Sequence, residues 1–368
     1  MKYESPAGGP NFPRVLTILG RRGHVIEQAF RGVGLGCSYQ RRLFGPRRLY
    51  GVLYETARQI LNNKYEKFDV VLTDSVEYTA LSWVVAKLIK KPLVVRVRGN
   101  SRAELNQEKS CGEYAIPGIK YIVDLYERIL RNCAAVIPVS RSLLSYLMND
   151  AKVDEKKLFW IPISIETDAF SKIDRESARK ALGLCGKDVI LTVTNFRFTD
   201  KVKKLEELLP TILELLEAYP DTVFLIAGDG TYLRTFKKNI SKVATSQSDR
   251  VRCLGYVRDM ATLYAAASIV VYFSGLDAFP RAILEAQGSA RPVIANPIGG
   301  VPEIIRHEET GYIVNSNAEF IRTARLLLDK KDLQRKIGEN ARMSVVQNYT
   351  PHIVGSKWVE VLTELLSR

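Results

Sequence analysis

Apolar runs of four to seven residues alternate with longer amphipathic segments along nearly the whole chain. This is the pattern of parallel βαβ units, whose strands are covered on both faces and so read as continuous apolar runs. In the first half the runs predict strands at 69–73, 92–97, 134–139 and 157–161, and helices near 13–22, 47–62, 77–90, 118–132 and 141–149. The pattern restarts after Asp168. Strands there fit 187–193, 222–227, 250–254, 268–273, 292–295 and 312–314, with helices in the gaps and a last amphipathic stretch from Pro351 to Leu366 that carries Trp358. A chain of 368 residues is too long for one core; two domains of about 165 to 190 residues are expected. The expected fold is α/β, two doubly wound Rossmann-like domains facing across a cleft, each with a crevice at the carboxyl ends of its strands. Residues 1–165, 166–348 and 349–368 are the expected divisions.

Composition narrows the class. The longest apolar stretch, Tyr78 to Val95, is interrupted by Lys87, Lys90 and Lys91, which disqualifies it as a membrane span. No charged start followed by an apolar run and a cleavage site is visible, and the five cysteines are scattered without metal or disulfide spacing. A cytoplasmic setting with reduced thiols is expected. Three histidines leave little material for a metal centre or a Ser-His-Asp triad.

The net charge of +14 is lopsided. Residues 1–165 hold 26 Lys and Arg against 15 Asp and Glu, and the remainder nearly balances. Between Arg31 and Arg58, the arginines at 41, 42, 47 and 48 alternate with Tyr39, Leu43, Phe44, Leu49 and Tyr50. Basic residues interleaved with aromatics suit the inner, anionic surface of a membrane. A solvated basic face is the plainer reading, and nucleic acid is the poorest fit of the three.

The densest chemistry lies in Asp277-Ala278-Phe279-Pro280-Arg281-Ala282-Ile283-Leu284-Glu285, followed by Arg291-Pro292-Val293-Ile294-Ala295 and Gly299-Gly300-Val301-Pro302-Glu303. The order is strand, acidic loop, helix with proline near its start, strand, and a glycine turn. Unpaired backbone N–H groups and the positive dipole end at that helix start suit phosphate oxygens. The two flanking carboxylates suit sugar hydroxyls instead, and a nucleotide-sugar carries both parts.

This segment resembles the acidic-x7-Glu motif of the retaining glycosyltransferases of family 4, the glycosyl transferases group 1, which have the GT-B fold. The resemblance runs along the chain: Pro6-Ala7-Gly8-Gly9-Pro10 and Arg21-Arg22-Gly23-His24-Val25 resemble the family's glycine loop and its return into the sheet. Ile161-Pro162 with Phe170, Ile226-Ala227-Gly228-Asp229-Gly230 and Cys253-Leu254-Gly255-Tyr256-Val257 match later landmarks in the same order. The resemblance implies an N-terminal acceptor-binding domain, a C-terminal nucleotide-sugar domain and a terminal helix that crosses back to the first. It also implies a strand before the glycine loop. Residues Met1 to Ser5 cannot supply one, so the expectation is that the first strand is missing and the true start lies upstream.

By the same resemblance, Asp277, Arg197 and Lys201 are the catalytic candidates. Arg197 and Lys201 would neutralise the leaving diphosphate in place of a metal ion. Gly8, Gly9, Arg98, Lys203, Tyr256, Val257, Glu285 and the segment Ala278 to Ile283 (Phe279, Pro280, Arg281 and Ala282 included) are the donor-binding candidates, with Glu285 on the ribose and the backbone N–H groups of 279–283 on the phosphates. Two positions depart from the family: Asp277 stands where glutamate is usual, and Arg98-Gly99 where His-Gly is common. An arginine stays charged and cannot serve as a general acid or base.

The implied activity is metal-independent, retaining transfer of a hexose from a nucleotide-diphosphate sugar to the hydroxyl of a glycan or lipid-linked acceptor. No cofactor and no metal are implied. A catalytically idle nucleotide-sugar-binding subunit and a GT-B epimerase are the rival readings.

Overall fold

Short β-branched runs such as Val-Val-Leu-Thr and Ile-Val-Val-Tyr suit a pleated surface covered on both sides, and they become fully buried parallel strands. The computed structural model describes residues 13–18, 24–35, 37–39, 68–104, 119–170, 173–243 and 249–368. The chain divides into two units, Met1–Ser164 with Thr350–Arg368, and Ile165–Tyr349.

In the first unit the strands are Val15–Ile18 (β1), Cys37–Tyr39 (β2), Val70–Thr73 (β3), Leu93–Val97 (β4) and Ala135–Pro138 (β5). They pair in parallel in the order β2-β1-β3-β4-β5. β1 corrects the reading of the N-terminal segment. The pattern predicts a helix over 13–22 and an absent first strand, yet Val15–Ile18 is a buried strand between β2 and β3. Val-Leu-Thr-Ile is apolar toward both faces, which a central strand needs and a surface helix does not. The helix follows at His24–Arg31. Arg21-Arg22-Gly23-His24-Val25 therefore leads into a helix, and the return strand is β2. Gly8 and Gly9 precede β1 and lie outside the described residues, as do Arg41, Arg42, Arg47 and Arg48.

The segment 157–161 also departs from expectation. It follows β5 with a single bridge, Leu158 to Val136, and with Phe159 and Ile161 donating to Val136 and Pro138. Pro162, without an N–H, ends the pairing there.

The core of this unit packs Val15, Ile26, Phe30, Leu72, Val94 and Ile137 against Val354, Trp358 and Leu362 of the helix Pro351–Ser367. Trp358 is fully buried and meets the Phe30 ring edge-on at 5.5 Å between centroids. The approach is close enough that a Cβ on Gly355 would sit 2.2 Å from the Ala29 carbonyl oxygen.

The second unit holds Asp188–Val193 (β6), Thr222–Ala227 (β7), Val251–Gly255 (β8), Ile269–Tyr272 (β9), Val293–Ala295 (β10) and Tyr312–Ile313 (β11), all parallel, in the order β11-β10-β9-β6-β7-β8. The 20-residue helix Thr199–Ala218 presents Leu205, Leu208, Leu209, Ile212 and Leu216 as one apolar stripe to this sheet. That spacing is the helical period. From β6 the sheet grows through β7 and β8 to one side, and the chain then returns to lay β9 on the other side of β6. The strand order reverses between β6 and β9, which opens a crevice at their carboxyl ends.

Candidate functional site

Two loops enter that crevice, one after β6 and one after β9. The first runs into the helix Thr199–Ala218 and places Lys201 in its opening turn. A cation there opposes the helix dipole, so the helix gains nothing from it locally. Its partner is across the crevice: Lys201 Nζ lies 2.5 Å from Asp277 Oδ2, with the side chains 8% and 17% exposed. Tyr272, the last residue of β9, donates its phenol to the same oxygen at 2.5 Å. The other oxygen accepts from the N–H of Phe279 at 3.2 Å. Asp277 is thus held by three donors from two strands' ends.

The glycine turn after β10 packs onto this loop. Gly299 sits at φ +53°, and a Cβ there would fall 1.8 Å from the Asp277 carbonyl oxygen. The N–H of Gly300 donates to the Ala278 carbonyl at 2.7 Å. Only glycine satisfies both the left-handed backbone and the contact.

The helix Arg281–Gly288 begins after Pro280 with no side-chain cap. Pro280 has no N–H, Phe279 donates to Asp277, and Ile283 donates to the Pro280 carbonyl at 3.2 Å. The run of phosphate donors expected over 279–283 therefore narrows to the first turn around Ala282. Glu285 follows one turn later. Its Oε1 accepts from Arg281 Nε at 2.7 Å and its Oε2 from the phenol of Tyr264 at 3.2 Å.

The two carboxylates share one design, a cation and a buried phenol each. Burial, reinforced by Asp277, holds the Tyr272 phenol well above its ordinary pKa, and burial with Glu285 does the same for Tyr264. Both phenols therefore remain protonated donors throughout the neutral range. Asp277 Oδ1 and both oxygens of Glu285 keep a lone pair beyond these bonds, whereas Asp277 Oδ2 already accepts two. Neither tyrosine is a candidate from sequence, since Tyr272 reads as a strand aromatic and Tyr264 as part of an amphipathic helix.

The remaining candidates are dispersed. Arg197 is exposed, with its guanidinium 5.7 Å from the ring of Phe198. Lys203 is on the exposed side of its helix, two residues from Lys201 and so nearly opposite it. Tyr256, just past β8, is 77% exposed, and Val257 beside it is half-buried. Arg98 belongs to the first unit, where it follows β4 and lies 3.6 Å from the buried Asp74 after β3. Among the described residues no group of three His, Cys, Asp or Glu could hold a metal ion, and no helix is long and apolar enough to cross a membrane.

The two doubly wound parallel sheets, with paired carboxylates at the switch point of the second, have the GT-B fold. The structure of HepE from Anabaena in complex with UDP and glucose superposes with a TM-score of 0.75, covering 96% of this chain and all of that one at 15% identity. Residues 174–344 match the family model of glycosyl transferases group 1. Curated relatives carry enzyme names. The chain is 28% identical to N-acetyl-alpha-D-glucosaminyl L-malate synthase of Bacillus anthracis over 55% of its own length and 52% of the relative's. It is 25% identical to UDP-Gal:alpha-D-GlcNAc-diphosphoundecaprenol alpha-1,3-galactosyltransferase of Escherichia coli over 78% and 73%. The chain thus spans about half the length of the first relative and about three quarters of the second.

Proposed function

We propose that the protein is a metal-independent, retaining hexosyltransferase that moves a sugar from a nucleotide-diphosphate donor to an acceptor hydroxyl. The observation that carries this reading is the Lys201–Asp277 contact at the β6/β9 crevice, beside the uncapped start of the helix Arg281–Gly288. A donor seated there would lay its diphosphate on that helix start. Lys201 and Arg197 would supply the positive charge, Asp277 would take the sugar hydroxyls and Glu285 the ribose. Transfer with retention passes through an oxocarbenium-like sugar between the leaving diphosphate and the incoming hydroxyl. The protein's share of that step is orientation and fixed charge. No side-chain acid or base at position 98 is required, because the leaving diphosphate can accept the acceptor's proton.

A lipid-linked acceptor at the inner membrane face is the reading we favour for the second substrate. It is supported by the diphosphoundecaprenol acceptor in the name of the Escherichia coli relative and by the basic, aromatic stretch from Arg31 to Arg58. A panel of UDP- and GDP-sugars tests the whole proposal, with nucleoside diphosphate release measured with and without EDTA and the product anomer read by NMR. Donor binding without any release of nucleoside diphosphate would replace the transferase by an idle binding subunit. An inverted anomer would refute retention, and loss of turnover in EDTA would refute metal independence. Vesicle binding at low salt that is lost when the arginines at 41, 42, 47 and 48 become serine would support the membrane-borne acceptor. Indifference to anionic vesicles would point to a soluble one.

A further inference from the structure

The second unit carries another concentration of positive charge, at the opposite edge of its sheet. Arg291 directly precedes the segment that becomes β10, and Asp188 opens β6, so this is the amino-terminal end of the strands. A pocket of about 330 Å³ here is lined by Arg175, Ala290, Arg291, Lys331, Arg335 and Glu339. Lys331 is paired with Asp188 at 2.7 Å, and Arg335 is paired with Asp332. The two remaining guanidiniums have no carboxylate within ion-pair distance among the described residues. Arg175 donates to the neutral amide of Gln334 at 3.0 Å, and the Nε of Arg291 is buried with no acceptor among the described residues.

A charged donor shut away from water is expensive, and folded proteins pair such groups or reserve them for a ligand. The crowding is severe at Arg291, where burial, then Arg175 and Arg179, pull the pKa down to about 9 against the opposing pull of Asp174. The group is still charged at neutral pH, so the repulsion stands. The backbone holds Arg291 in place regardless. Ala290 adopts φ +55°, closing the preceding helix with Arg291 N–H donating to Ala286 at 3.0 Å and Ala290 N–H to Gln287 at 2.9 Å. The helix Lys331–Asn348 presses on this turn so closely that a Cβ on Gly338 would lie 2.2 Å from the Ala290 carbonyl oxygen.

We propose that this pocket binds a phosphate group, anchored by the guanidiniums of Arg291 and Arg175 with Lys331 and Arg335 at its rim. Guanidinium forks match the oxygens of a phosphate two at a time, which a lysine cannot do. The site is separate from the crevice at the carboxyl ends of β6 and β9, so its occupant is an effector or an anchor and not the sugar donor. The shared chemistry is a phosphomonoester or inorganic phosphate, free in solution or carried as a lipid head group.

The test uses the full chain in an Arg197→Ala, Lys201→Met, Asp277→Asn background, which removes three of the charged groups at the other crevice. Inorganic phosphate is titrated calorimetrically against chloride at matched ionic strength, and phosphatidic acid vesicles form a second arm. Arg291→Met should weaken phosphate binding at least tenfold while leaving the phosphate-free thermal midpoint equal or higher, because methionine fills the stem's space without the unpaired charge. Arg175→Gln serves as the second variant and should also lose most of the binding. If vesicle binding falls with Arg291→Met, the source is a head group; if only soluble phosphate binding falls, the source is free phosphate. Phosphate binding undiminished in both variants, or absent from the unsubstituted pocket in both arms, overturns the proposal.

Discussion

Replacing Lys201 by methionine removes one partner of a pair that is nearly closed off from water, and the expected loss can be worked from its surroundings. Deleting one member of a buried ion pair strands the other charge and costs about 3–5 kcal/mol. Asp277 keeps the phenol of Tyr272 and the N–H of Phe279, which places the loss near the bottom of that range. Methionine also relieves the misplaced cation in the helix's first turn, returning about 0.3–1 kcal/mol. The net expectation is about 2–3 kcal/mol of stability in the second unit, a shift of about 30- to 150-fold in its unfolding equilibrium. Asp277→Asn alone strands the ammonium and should cost a similar amount, whereas the double variant, left with two neutral groups of the original shape, should recover most of the loss. Urea unfolding of the four proteins yields a coupling energy of about 2 kcal/mol. Strictly additive single losses, or a Lys201→Met loss below about 0.5 kcal/mol, which is the range of an exposed pair, would show that the two side chains do not meet in solution. Turnover on any accepted donor should fall in Lys201→Met whatever the stability result, because the positive charge at the diphosphate is gone.

Glu285→Ala should weaken nucleotide-sugar binding by about 10- to 150-fold, the equivalent of about 1.5–3 kcal/mol for charged hydrogen bonds; unchanged calorimetric binding with only a lower thermal midpoint would make its role structural. Ala290→Gly should raise stability by about 1 kcal/mol, since an alanine at φ +55° carries a left-handed penalty that glycine avoids, and a neutral or negative change in denaturant midpoint would contradict the described turn. Burial pushes the Cys133 thiol up to about 12, whereas Cys185 is exposed. A thiolate is the reactive form, so native-state alkylation near pH 8 should modify Cys185 and spare Cys133 until the first unit unfolds, as peptide mass spectrometry would read directly.

The acidic loop and its helix are visible in sequence because a strand, two carboxylates and a glycine turn fall within one short stretch, and local order there implies local structure. The strands of the second unit are visible for a similar reason, each being an apolar run bounded by polar residues. Elsewhere, context decides. Val15–Ile18 sits next to Leu19 and charged neighbours that complete a plausible helical period, and only its place between β2 and β3 makes it a strand. Tyr272 and Tyr264 carry no local sign of their role, since a phenol becomes a carboxylate's donor only when the sheet and a neighbouring helix bring the two together across 5 and 21 positions of chain. The arginine pocket is harder still. Its residues come from positions 175, 291, 331 and 335, and no window of sequence contains them.

The first unit is discontinuous in the chain, and this governs the order in which it can be completed during synthesis. Residues 165–349 are contiguous and can close their sheet as soon as they leave the ribosome. The first 164 residues emerge earlier but lack Trp358 and its helix, so the apolar side of Ile26 and Phe30 stays uncovered while the whole second unit is being made. The earlier-born part matures last. Translation stalled before residue 351 leaves a finished second unit joined to a first unit with an open, sticky seam, the kind of surface that chaperones and proteases recognise. The helix Pro351–Ser367 therefore sets when the first unit's core can close: until it is made, Ile26 and Phe30 lack the covering that Trp358 supplies.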